Sequence, residues 1–319
     1  MGWLTELESA TSGTTTRRSN QLSYSHHLIR NCNFTTLSII HQTHPNLLHL
    51  YATISPMTKV LTVFTTPRYR QLLWELIKRE ISQRYKQSLL GYLWVIAYPL
   101  IQMVVLSFIF SQILPFQGDF SVPFSVFLFA GLLPWTLFSN SLLGATSALV
   151  ENTGLIAKIY FPREVLLISC ICGKIFEFFF SSLVFIVMMI VFKITPTWNL
   201  LWIIPIFLIQ NTFVYGLSLF TSAINLFYRD IQYLVSLVVT LWLFLTPVFY
   251  SLNMFSKQTR ALLTLNPMTI LIGAYREVIL GGQIPNIFSL GVCLLVSICL
   301  VLSGFWLFKK LEGQFADAV

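Results

Sequence analysis

Six apolar stretches, each about long enough for a helix to cross a bilayer, fix most of what this chain can become. They cover about residues 89–114, 123–149, 165–192, 200–227, 233–250 and 287–308. A bilayer core about 30 Å thick takes roughly 20 residues at 1.5 Å each, and its interior offers no water to a backbone outside a helix or closed barrel. Of the 319 residues 55% are hydrophobic and only 10% charged, against roughly a quarter charged in soluble domains. The expected fold class is therefore all-α and integral to the membrane. Pro99, Pro134, Pro205 and Pro247 fall inside the stretches, so tilted or kinked helices are expected.

The net charge of +8 reads as orientation rather than as a nucleic-acid surface, because the basic residues flank apolar stretches. Arg68, Arg70, Lys78, Arg79, Arg84 and Lys86 precede the first stretch, Lys158 and Arg163 follow the second, Arg229 follows the fourth, and Lys309 and Lys310 close the last. Six crossings put all of these on one side, leaving Lys193, Lys257, Arg260, Arg276 and Asp119 for the other. The positive-inside rule makes the richer side, with both termini, cytoplasmic.

All five histidines fall in the first 49 residues, a polar Ser/Thr/Asn-rich segment without helical or strand period, and their spacing makes a poor metal cage. No metal site is expected. Residues 1–56 are expected to be a disordered or mis-started tail that activity does not need. The five cysteines show neither a disulfide framework nor metal spacing.

Within 57–88, Tyr69, Leu72, Leu73, Leu76, Ile77, Ile81 and Tyr85 recur at helical spacing while Arg70, Lys78, Arg79, Gln83 and Lys86 take other faces. That pattern predicts an amphipathic helix, too charged to cross, lying on the cytoplasmic leaflet with Trp74 at the interface. Between the fifth and sixth stretches, two short helices broken at Asn266-Pro267 and ended by Gly281-Gly282 and Pro285 are expected, half-buried at the external mouth. The membrane domain proper is then 89–310, with 311–319 a cytoplasmic tail.

Catalytic chemistry is missing from the pattern. There is no phosphate-binding Gly-x4-Gly-Lys-Ser/Thr loop, no histidine beyond residue 49 and no carboxylate pair placed for acid-base work. Lys174 and Glu177, three apart on one helical face, are expected to neutralise each other rather than relay protons. The chain is not expected to be an enzyme, and any energy source lies elsewhere, most simply in a separate ATPase. The stretch "LIAKIYFPRE" supplies a place for one. Leu155, Ile156, Ile159, Tyr160 and Phe161 beside Lys158, Pro162, Arg163 and Glu164 have the make-up of a docking peg, apolar anchors with a charged rim. An ordinary interfacial loop has the same composition.

Four segments tip that balance: "RYKQSLLGYLWVIAYPLIQMVVLSFIFSQIL", "FAGLLPWTLFSNSLLGATSALVENTGLIAKIYFPREVLLIS", "NLFYRDIQYLVSLVVTLWLFLTPVFYS" and "LNPMTILIGAYREVIL". In this order they resemble the membrane subunits of ABC-2 type polysaccharide exporters, the permeases for O-antigen, teichoic acid and capsular polysaccharide. The resemblance spans essentially 57–310.

It implies a homodimer of six-helix subunits in the bacterial inner membrane with two copies of an ABC-type ATPase. ATP and Mg would sit on that partner, and no cofactor on this chain. It further implies an interface helix over 68–85 (Trp74, Arg79, Arg84, Tyr85), a coupling helix over 152–164, and a two-helix re-entrant gate over 252–283 (Asn266, Pro267, Tyr275, Arg276, Glu277). The implied substrate is a lipid-linked polysaccharide. Because aromatic faces stack on sugars and amides or hydroxyls trade hydrogen bonds with them, Trp94, Tyr98, Trp135, Phe138, Ser139 and Asn140 become pore candidates. Rival readings are an ABC-2 exporter of a drug or small lipid, a membrane-embedded glycan-synthesis enzyme and an ion-coupled carrier.

Overall fold

The computed structural model describes residues 67–85, 93–109, 122–158 and 161–315. The 1–56 tail, the start of 57–88, and residues 159, 160 and 316–319 lie outside the described residues. In chain order the helices are α1 (Pro67–Tyr85), α2 (Leu93–Phe108), α3 (Phe124–Glu151), α4 (Thr153–Lys158), α5 (Glu164–Val191), α6 (Ile203–Phe227), α7 (Ile231–Leu245), α8 (Lys257–Leu263), α9 (Pro267–Ile279) and α10 (Ile287–Glu312). A 3-10 turn, Trp198–Trp202, leads into α6, and its Pro205 sits in the first turn, where a missing N–H leaves no intrahelical bond unmade.

Among the described residues, four helices are long and apolar enough to cross a membrane: α3, α5, α10, and α6 together with its 3-10 lead-in. α3 is the axis of the bundle. It packs on α5 and α6 most broadly, and also on α2, α7 and α9. Polar side chains join it to α6 where apolar packing alone would let the helices slide. Gln210 donates from Nε2 to the Pro134 carbonyl (2.7 Å), the hydroxyls of Thr146 and Thr221 lie 2.7 Å apart, and Asn225 donates to the Thr146 carbonyl (3.1 Å). The Asn225 oxygen also accepts from the Gln232 backbone (2.9 Å), so one buried amide ties α3, α6 and the start of α7. Such interhelical bonds are each worth about 0.6–1.7 kcal/mol in a bilayer.

The broadest contact of all is between α6 and α10. It depends on two glycines: a Cβ on Gly304 would meet the Gly216 carbonyl at 2.9 Å, and one on Gly216 would meet the Val301 nitrogen at 3.0 Å. Only backbones stripped of side chains approach so closely.

α1 follows its predicted pattern. Leu73 and Leu76 are buried and Tyr69, Leu72 and Ile77 half-buried, with α5 the main neighbour, whereas Trp74 remains 57% exposed under Lys78 (5.5 Å from the ring centroid). On α5, Lys174 and Glu177 form the expected ion pair at 3.7 Å.

Two stretches depart from their predicted extents. The fifth, expected over 233–250, is helical only through Leu245, which leaves α7 at 15 residues and, at 1.5 Å each, short of a bilayer core of about 30 Å. Pro247 explains the early stop, because the residue before a proline is pushed from the α region, and Thr246 sits at φ −102°, ψ 134°. The first stretch is described as α2, 16 residues with Pro99 inside, and 89–92 and 110–114 lie outside the described residues.

Candidate functional site

Two constellations sit at opposite ends of α3. At its C-terminal end, Asn152 closes α3 and accepts a hydrogen bond from Arg79 of α1, while its own amide donates to the Ala148 carbonyl (2.8 Å). The predicted interface helix thus meets the α3–α4 junction through Arg79. The side chains of Arg84 and Tyr85 lie outside the described residues.

The predicted docking peg has its anchors turned inward. Ile156 and Phe161 are buried in the chain's own core and Leu155 packs beside them, so these side chains hold the segment to its own subunit instead of projecting toward a partner. Apolar periodicity identifies a face that wants covering without saying what covers it. The outward surface consists of Glu151, Gly154, Ala157 and Lys158, with Pro162 and Arg163 half-buried and Tyr160 outside the described residues.

Glu164, placed at the rim by its charge, is 2% exposed and ion-pairs through Oε1 with Lys309 of α10, which also reaches Glu312 (2.7 Å). Glu164 Oε2 is buried with no hydrogen-bond partner among the described residues, so among these Lys309 carries the compensation. Removing one member of a pair so enclosed costs about 3–5 kcal/mol. Arg163 donates to the Glu312 carbonyl, which also accepts from Phe315 N (3.3 Å), and lies 5.4 Å from the ring centroid of Phe315. Phe315 is fully buried against Phe227 and Phe308. The two helix ends cap each other: a carboxylate opens α5, cations close α10, and both suit the helix dipoles.

At the N-terminal end of α3 the chain builds the other constellation around α9. Asn266 accepts from Met268 N (3.0 Å) and donates to Thr246 Oγ1 (2.9 Å), with Pro267 at the first helical position, so the predicted break is a capped helix start. Gly282, at φ +59°, turns the chain after α9, and Asn199 donates to its carbonyl (2.6 Å). Among the described residues Arg276 pairs with no carboxylate. It donates to the carbonyls of Phe127 (3.3 Å from Nε, 3.1 Å from Nη2), Val248 (2.6 Å) and Pro247, and its guanidinium lies 3.6 Å from the ring centroid of Phe127. The 247 and 248 carbonyls follow the early end of α7 and have no helical partner, so Arg276 satisfies what Pro247 disrupts. Gly131 leaves the room, since a Cβ there would collide with Nη2. Tyr275 is buried and Glu277 exposed.

The pore candidates divide. Trp135 and Phe138 are enclosed within the subunit, where Phe138 stacks on Phe213 (5.9 Å) and meets Trp242 edge-on (5.2 Å). In this position both face neighbouring helices of the subunit. Trp94, Tyr98 and Asn140 are exposed and Ser139 is half-buried. The sequence reading missed Gln210, Asn225 and Phe315, and the clue for the first two is an amide inside an apolar stretch.

Residues 71–280 match the family model of the ABC-2 type transporter. This chain belongs to that family. It is 34% identical over 254 residues to the O-antigen export system permease protein RfbA of Myxococcus xanthus, covering 79% of this chain and 96% of that relative. Against the protein of the same name from Klebsiella pneumoniae the identity is 32% over 248 residues, 77% and 94% of the two chains. Against the polysialic acid transport protein KpsM of Escherichia coli it is 26% over 252 residues, 74% and 92%. Within this ABC-2 chain the family match runs from α1 through α9 and so takes in α4, while α10 with Lys309, Glu312 and Phe315 lies beyond it.

Proposed function

We propose that this chain is the membrane-spanning permease subunit of an ATP-driven exporter that moves a lipid-linked, O-antigen-like polysaccharide across the bacterial inner membrane. The observation that carries this reading is the alignment over 96% of an O-antigen export permease at 34% identity. The chain would work as a homodimer with two copies of a separate ABC-type ATPase that binds ATP and Mg, itself holding no cofactor. Each subunit would cross six times, α2 and α7 adding to the four long helices, with both termini cytoplasmic and α8–α9 forming a re-entrant gate at the external mouth. The excess of basic residues around α1, α4 and the end of α10 supports that orientation.

In this reading α4 and the following loop dock on the ATPase through the surface around Glu151, Gly154, Ala157 and Lys158, while Ile156 and Phe161 hold the loop to the permease. Closure of the ATPases on ATP pushes the loops and opens the seam between subunits. A long polar glycan cannot be enclosed whole, so it passes stepwise, and Trp94, Tyr98 and Asn140 are the candidates left with faces free to meet it. Asn266, Pro267, Tyr275, Arg276 and Glu277 shape the gate.

Deleting the gene in its native host tests this reading. The surface polysaccharide should disappear and its lipid-linked form accumulate inside, with restoration by the wild-type chain only when the ATPase is intact. Unchanged surface polysaccharide would reject the substrate class.

A further inference from the structure

The last turn of α10 is held at the coupling segment by three separate contacts. Lys309 meets the buried Glu164 that opens α5, Arg163 donates to the Glu312 carbonyl, and Phe315 lies buried under the Arg163 guanidinium. All three converge on the two residues that follow the α4 loop. An ordinary helix end at a membrane surface carries solvated cations; here a cation is committed to a carboxylate that has lost its water. From there the connection continues along α10 into α6, its broadest contact, where Gly216 and Gly304 bring the backbones together and leave little slack.

We infer that Lys309, Arg163 and Phe315 are positioning residues for energy coupling: they fix the end of α10 to the α4–α5 corner, so that a push on α4 displaces α10 and α6 as one body. This rests on the coupling role proposed above for α4. The partner's contact is made by the exposed face of α4, and the clamp converts that contact into helix movement. Breaking the clamp should leave the ATPase bound and hydrolysing while the stroke is lost.

The test uses the full chain, co-expressed and purified with its ATPase, and compares glycan transported per ATP hydrolysed in proteoliposomes. Lys309→Met and the charge-free pair Glu164→Gln/Lys309→Met should both keep the ATPase bound yet lower that ratio about tenfold, the scale of a coupling energy of ~1.4 kcal/mol. Lys309→Arg should stay near wild type. The double variant separates coupling from mere charge compensation, because it leaves no buried charge unpaired; a wild-type ratio there would overturn the proposal. Should neither Lys309 variant reach the membrane, Phe315→Ala decides by the same ratio, with about a threefold fall expected and no change counting against the clamp. A wild-type complex that transports no glycan would instead reject the exporter reading itself.

Discussion

The two ends of α3 hold a half-buried basic side chain by opposite means. At the α4 end Lys309 is matched by a carboxylate, Glu164, with Glu312 beside it. At the α9 end Arg276 is matched by the main-chain carbonyls of Phe127, Pro247 and Val248 and by the face of the Phe127 ring. A pair of opposite charges needs the right sum, so it tolerates replacement of both members by neutral groups. A cation held by carbonyls needs the right shape, since only a planar fork reaches three oxygens from two directions. The first joint is therefore electrostatic and the second geometric, and substitutions should separate them.

The largest effect is expected at Arg276. Arg276→Ala strands the carbonyls at 247 and 248 and should lower stability by about 3–5 kcal/mol, seen as a fall in unfolding temperature in detergent, and Arg276→Lys should recover less than half. Recovery to wild type by lysine would show that charge alone matters there. Lys309→Met comes next, at about 3 kcal/mol, and the comparison is sharpest in Glu164→Gln/Lys309→Met, which should regain most of that loss in the same melting experiment. Gly131→Ala should cost about 1–3 kcal/mol by forcing the Arg276 guanidinium aside. Its effect should shrink sharply in the Arg276→Ala background, a non-additivity that a double-mutant cycle measures. Lys158→Ala, at an exposed position, should change stability by under ~0.5 kcal/mol. Its consequence should show only in how tightly the ATPase binds.

What could be read from the sequence follows from which forces leave a local mark. The long helices α3, α5, α6 and α10 were legible because a run of some 20 apolar residues has few other structures open to it in a bilayer. Asn266-Pro267 was legible because a cap and a first-turn proline are local chemistry. The end of α7 was readable in principle from Pro247, and the length of the apolar run concealed it. Burial partners were not legible. Ile156, Phe161, Trp135 and Phe138 are apolar for a reason the sequence states, yet whether a neighbouring helix, a partner or a glycan covers them depends on tertiary contacts. The partners of Arg276 were hidden for another reason: a carbonyl occurs at every residue, so no side chain announced them. Glu164 and Lys309 were visible as charges, but each was read as part of its own segment, and their pairing is a fact of the fold.

The most direct measurement is transport by the purified complex. Proteoliposomes containing the full chain and its ATPase would be supplied with labelled lipid-linked glycan and ATP on the ATPase side, and the label followed by its susceptibility to a glycosidase in the opposite compartment. The account predicts transfer that requires both proteins and hydrolysable ATP and that persists when the proton gradient is collapsed. Transfer that proceeds without the ATPase, or that stops with the gradient while ATP remains, would contradict it.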